Sequence, residues 1–115
     1  MPIVEMLTKK SFTKLLSSHK KVFVDFHAKW CPPCKTIMPE VENLAEKFSK
    51  IKFVKIDVDE AEELAYDHQI SKMPTFIVFE NGIEIDRFTG AQKEPLERML
   101  TNLDQTDTEP ATQAN

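Results

Sequence analysis

A chain of 115 residues, 41% of them hydrophobic, encloses one core and is too short for two ordinary domains. Its 19 acidic and 15 basic residues leave a formal charge of -4 and are interspersed without a basic stripe, which argues against nucleic acid as a partner. No apolar run approaches the ~20 residues needed to cross a bilayer, and Met-Pro-Ile-Val-Glu is not a basic start followed by an apolar stretch, so a soluble, cytoplasmic monomer with no membrane role is expected.

In chain order, a short strand is predicted near Ile3 to Met6, then a helix over Thr8 to Ser18 with Phe12, Leu15 and Leu16 on one face. Lys21 to His27 carries Val22, Phe23, Val24 and Phe26, the pattern of a strand covered on both faces. Ile37, Val41, Leu44 and Phe48 recur at helical spacing, with an interruption and kink expected at Pro39. Ile51 to Asp57 reads as a second buried strand, joined to the first by a right-handed crossover to a parallel neighbour. Asp59 and Glu62 form a capping-box-like start to a helix that places Ala61, Leu64, Ala65 and His68 together.

Thr75 to Phe79 and Ile83 to Phe88 flank Asn81-Gly82, a strong hairpin signal that makes these two strands antiparallel. Leu96, Met99, Leu100 and Leu103 stripe a last helix, with Pro95 tolerated in its first turn. The outcome is an α/β domain over 1–103, a mixed sheet with helices on both faces. From Asp104 to Asn115 large apolar residues give way to Asp, Thr, Gln, Glu, Pro and Asn, so a disordered polar tail is expected.

The chain has two cysteines, Cys31 and Cys34, in the run Trp30-Cys31-Pro32-Pro33-Cys34-Lys35. A bridge closing so short a loop removes little unfolded-state entropy, so these cysteines point to chemistry rather than to architecture. They fall between a buried strand and a long helix, and a helix N-terminus favours anions. With Cys31 at the cap, Pro32 and Pro33 fill positions whose N–H groups lack helical partners, and the Cys34 N–H is placed to hold a Cys31 thiolate. Cys31, the more exposed, is then the nucleophile in disulfide exchange. Cys34, one turn in and more buried, resolves the mixed disulfide and closes the Cys31–Cys34 bond. The alternative is half of a zinc site, but His19, His27 and His68 show no ligand-like spacing, and no metal is expected.

From about Val4 to Leu103 the chain resembles the thioredoxin family. The likeness is carried by Val24-Asp25-Phe26, Trp30-Cys31-Pro32-Pro33-Cys34-Lys35, Pro39, Val54-Lys55-Ile56-Asp57-Val58-Asp59, Met73-Pro74-Thr75, Asn81-Gly82 and Gly90-Ala91. The resemblance implies a five-stranded mixed sheet flanked by four helices and reduction of protein disulfides, such as those of peroxiredoxins or reductases. It implies electrons from NADPH through a thioredoxin reductase, with no cofactor bound by this chain; Gly82 and Gly90 are its only glycines, so no Gly-rich nucleotide loop is present.

Asp25 is a carboxylate in an apolar strand, either solvent-facing or buried at a cost. The resemblance makes it the buried acid that accepts or relays the Cys34 proton, with Lys55 as its partner; burial raises its pKa and Lys55 opposes that. Pro74 read alone is a trans, strand-starting proline. The resemblance places a cis Met73-Pro74 bond opposite the dithiol, where the Met73 backbone pairs with an extended substrate. Trp30, Pro33, Met73, Gly90 and Ala91 become the apolar docking patch around Cys31.

Two positions depart from the usual family pattern. Pro32 stands where glycine is common, and His27 where tryptophan is frequent. His27 is either a strand-end histidine with no catalytic part or a donor to Asp59 that tunes the dithiol. Lys29, Lys35 and Lys72 are either scattered solvated cations or a positive rim favouring acidic partners. The rival functions are a disulfide oxidase or isomerase, and a non-enzymatic adaptor on the same fold.

Overall fold

The computed structural model describes residues 3–106. Its elements run β1 (Ile3–Glu5), α1 (Lys9–Ser18), β2 (Lys21–His27), α2 (Pro32–Lys47), β3 (Lys52–Asp57), α3 (Glu62–Asp67), β4 (Thr75–Glu80), β5 (Ile83–Thr89) and α4 (Lys93–Gln105). The five strands form one sheet in the order β1-β3-β2-β4-β5. β3 lies parallel to both β1 and β2, whereas β4 is antiparallel to β2 and to β5. This is the thioredoxin fold that the motifs imply, and it puts β2 at the centre of the sheet.

Alternation along β2 divides the core in two. Phe23 faces one side with Phe53, Phe76 and Val78, packed under Ile37, Val41 and Leu44 of α2 and Leu96, Met99, Leu100 and Leu103 of α4. Val22, Val24 and Phe26 face the other with Val54, Ile56, Ile77 and Phe79, under Phe12 of α1 and Leu64 of α3. Phe23 stacks on Phe76 at 5.5 Å between ring centroids and meets Phe53 at 4.7 Å. A strand between two such layers must be apolar throughout, and Asp25 is the exception, buried on the Phe23 side.

Several local expectations change. α2 is unbroken from Pro32 to Lys47, with Pro39 inside it. The Ile37, Val41 and Leu44 stripe packed on the sheet offsets the hydrogen bond that proline cannot donate. The Asp59/Glu62 capping box does not form: α3 begins after Ala61, which makes no side-chain cap. Asp57 sets that turn instead, its Oδ1 accepting from the N–H groups of Asp59 at 2.9 Å and Glu60 at 3.4 Å. α4 continues through Asp104 to Gln105, because Leu103 is still buried and Lys21 Nζ donates to the Asp104 and Thr106 carbonyls. The rest of the expected tail, 107–115, lies outside the described residues.

At the hairpin Asn81 and Gly82 have φ of 55° and 80°, the two positive values a two-residue type I′ turn requires. A Cβ on Gly82 would meet no atom within 4 Å, so Gly82→Ala should cost only its backbone penalty, about 1 kcal/mol. Phe23→Ala, which empties the interlocked aromatic layer, should cost about 3–5 kcal/mol. Urea unfolding of the two variants checks the ranking; equal losses would mean that the turn, not the core, limits stability.

Candidate active site

The two cysteines sit where β2 hands the chain to α2. Cys31 is the N-cap residue of α2 in extended conformation, and Pro32 and Pro33 occupy the first helical positions, where a missing N–H costs nothing. The Cys34 N–H donates to Cys31 Sγ at 3.3 Å. Cys31 and Cys34 are joined as a disulfide with 5.3 Å between their Cα atoms, so the structure is the oxidised state. Among the described residues no cluster of three or more His, Cys, Asp or Glu is placed to hold a metal.

Exposure does not distinguish the two sulfurs, contrary to expectation: Cys31 and Cys34 are each 3% exposed. Ala28 packs with them, and Val58 and Met73 close over the pair from β3's end and the segment before β4. What distinguishes them is position. Only Cys31 receives a first-turn amide, and the helix dipole favours negative charge on that sulfur.

Asp25 lies on the central strand, 1% exposed, and neither carboxyl oxygen has a hydrogen-bond partner. Burial pushes its pKa from 3.8 up to about 7, and the Lys55 ammonium works against that rise. Lys55 is its neighbour in the β2/β3 register, yet forms no ion pair with it. Its influence is through space. A buried carboxyl whose pKa is raised to about 7 is suited to taking up and giving back a proton.

The segment before β4 packs against the disulfide and is tied to the loop after β5. The Met73-Pro74 bond is cis, and Pro74 is buried while Met73 packs on the cysteines. Thr75 anchors this segment through Oγ1, donating to the Lys72 carbonyl at 2.6 Å and sharing a 3.0 Å hydrogen bond with Thr89 Oγ1. The Gly90 N–H donates to the Pro74 carbonyl at 3.0 Å. At φ 135°, with a Cβ fated to meet Phe88 at 3.3 Å, position 90 suits glycine. Ala91 is half-buried and packs against the larger core rather than the sulfurs. Trp30 is 64% exposed, and Pro32 and Pro33 are exposed beside it.

His27 does not reach Asp59. The Trp30 indole N–H donates to Asp59 Oδ2 at 2.7 Å, and His27 Nε2 is buried without a partner. The tryptophan next to the first cysteine thus occupies the acceptor that one of the two readings of His27 gave it. Burial holds the His27 imidazole below its ordinary pKa, against the pull of Asp57. The lysine rim is also reduced, since Lys29 pairs with Glu60 at 2.9 Å; Lys35 and Lys72 are exposed. Ala28 and Val58, which pack on the disulfide, were not singled out as site residues, although Val58 lies in a segment that carries the family likeness, because small and branched apolar residues at strand ends carry no distinguishing signal. A surface cavity of about 640 Å³ lined by Thr13, Leu16, His19 and Asn81 lies at the other end of β2 and β4 and touches none of these residues.

The thioredoxin family model matches residues 3–102. The chain is 40% identical over 103 residues to a thioredoxin of Equus caballus, covering 88% of this chain and 98% of that one. It is similar to the solved reduced thioredoxin pre-protein of Schistosoma mansoni, with a TM-score of 0.84, 42% identity and coverage of 90% and 99%. A third likeness, at TM-score 0.85, 32% identity and coverage of 88% and 95%, is to a chain from a structure of the thiol resolving mechanism in yeast mitochondrial 1-Cys peroxiredoxin via glutathione/thioredoxin systems.

The buried acid gives the site a measurable signature. The native state holds the Asp25 proton more tightly than the unfolded chain, so the stability it contributes is full below about pH 4 and is lost as pH rises through about 7. A shift of this size corresponds to roughly 4 kcal/mol as an upper figure. Asp25→Asn should therefore be more stable than the parent above neutrality and similar to it in acid. Urea midpoints of the oxidised proteins across that range test this, and a parent profile flat through neutrality would contradict it.

Proposed function

The chain belongs to the thioredoxin family of thiol–disulfide oxidoreductases, and from that premise we propose that it reduces disulfides of other proteins as a cytoplasmic monomer, re-reduced by a thioredoxin reductase with electrons from NADPH. The observation that carries this is the helix cap: the Cys31 sulfur accepts the Cys34 N–H while bonded to the Cys34 sulfur. In the reduced protein the same amide holds the Cys31 sulfur as an anion, with the Cys34 sulfur within bonding reach of it.

In the reduced protein the Cys31 thiolate attacks one sulfur of the substrate disulfide. A new S–S bond forms to Cys31, and the other substrate sulfur leaves as a thiolate that takes a proton from solvent. Cys34 then loses its proton to Asp25 and attacks Cys31 Sγ. This breaks the mixed disulfide, releases the second substrate sulfur as a thiolate that takes a proton from solvent, and leaves the intramolecular bond seen here. Two electrons have passed to the substrate, and Asp25 returns its proton when the reductase restores the dithiol.

Substrate recognition follows from the residues beside the disulfide. Exposed Trp30 and Pro33 offer apolar surface beside Cys31. Met73 packs against the disulfide next to the cis bond, which supports the family-based reading that its backbone pairs with an extended peptide. Peroxiredoxins are a fitting substrate class, since their chemistry ends in a disulfide needing a dithiol, and a similar chain comes from a structure concerned with peroxiredoxin thiol resolution. Reduction also suits a compartment whose thiol pools keep the pair reduced.

Insulin-disulfide reduction with NADPH and a thioredoxin reductase is the direct test. The parent should turn over, Cys31→Ser should fall to the uncatalysed background, and Cys34→Ser should accumulate a mixed disulfide at Cys31 visible by mass spectrometry. Turnover that survives loss of Cys31 would overturn the assignment, and a parent without turnover would favour an adaptor role.

A further inference from the structure

Lys55 is the middle residue of a charged row crossing three strands. In the parallel registers Glu5 of β1 lies beside Lys55 of β3, and Lys55 lies beside Asp25 of β2. Residues paired in register point to the same face, with neighbouring strands about 5 Å apart. Two acidic residues therefore flank one lysine in the register, one on each neighbouring strand. Asp25 is buried and Glu5 exposed, with Lys55 half-buried between them.

Lys55 enters none of the ion pairs formed among the described residues, and Asp25 has no hydrogen bond. The cation is uncommitted. Its main chain is fixed, because its carbonyl accepts from the Met6 N–H at 3.0 Å and so holds the end of β1 against it. The next step of the β2/β3 register adds His27 and Asp57, and Glu60 and Glu5 also act on His27. No charged group of α2 or α4, the helices over this face, is among those acting on Asp25 or His27.

We propose that Glu5 is a positioning residue for the disulfide-reducing reaction: by competing with Asp25 for the Lys55 ammonium, it sets the pH at which Asp25 takes the Cys34 proton. This rests on the function proposed above. The exposed carboxylate draws the flexible end of Lys55 outward, toward water, and leaves the buried acid less compensated. Without Glu5 the ammonium has one carboxylate to serve. The effect is moderate because the outer pair is solvated and screened by salt.

The experiment is a ¹³C NMR titration of the Asp25 carboxyl in the oxidised full chain at low ionic strength. Glu5→Gln should move the Asp25 midpoint downward by about half a unit, the size expected when the Lys55 ammonium comes about 2 Å nearer the acid at intermediate dielectric. In a Lys55→Met background the same change should produce less than half of that shift, with Lys55→Gln as the alternative background should the methionine variant not fold. An unchanged midpoint in Glu5→Gln, or a shift as large without Lys55 as with it, would overturn the proposal. The titration needs neither substrate nor turnover. Insulin reduction by the same variants reports separately on the function: a parent without cysteine-dependent turnover would remove that function and leave the charge coupling standing.

Discussion

The Cys34 N–H donated to Cys31 Sγ is the contact on which the site turns. It requires Cys31 to be outside the helix and Cys34 inside its first turn, so β2 must end before Cys31 and α2 must begin at Pro32. Two successive prolines make that boundary sharp, since neither has an N–H to spend and both favour the φ of a first turn. The long stripe of α2 on the sheet then holds the helix start in place. A helix anchored by Ile37, Val41 and Leu44 does not fray at the end where the sulfurs sit.

The same anchoring explains how β2 tolerates Asp25. A strand that buries Val22, Phe23, Val24 and Phe26 in two aromatic-rich layers is held far more tightly than one carboxyl can disturb. The acid stays where the fold puts it and answers by shifting its proton affinity rather than by moving. The stability the strand forgoes at neutral pH is therefore the cost of a carboxyl whose pKa burial raises to about 7. Lys55, one strand over, limits that cost without cancelling it, because it is not bonded to the acid.

Much of this was legible in the chain. Five strands and four helices follow from apolar spacing, and the Asn81-Gly82 hairpin and the parallel β2/β3 pair followed from local rules. What escaped was decided by contacts between distant residues. Asp59 and Glu62 have capping-box spacing, but Asp57 had already captured the turn amides and Trp30 the Asp59 carboxylate. His27 had the right chemistry for that carboxylate and was simply not the donor that reached it. The equal burial of the cysteines depends on Met73, thirty-nine residues beyond Cys34 in sequence. The cis bond before Pro74 is seen in the structure and implied by the family likeness, while proline statistics alone favour trans.

These contacts separate what the architecture fixes from what it leaves adjustable. The cap on Cys31, the bond from Gly90 to Pro74 and the burial of Asp25 each depend on backbone placement, so a side-chain change elsewhere has little purchase on them. The charges around them are different. Lys55, Glu5, His27 and Glu60 are half-buried or exposed; Lys55 acts on Asp25, and Lys55, Glu5 and Glu60 act on His27. On the proposed mechanism such a fold keeps one exchange chemistry and varies the pH at which it runs, because the acid is inside and Lys55, the charge that acts on it, is half-buried one strand away.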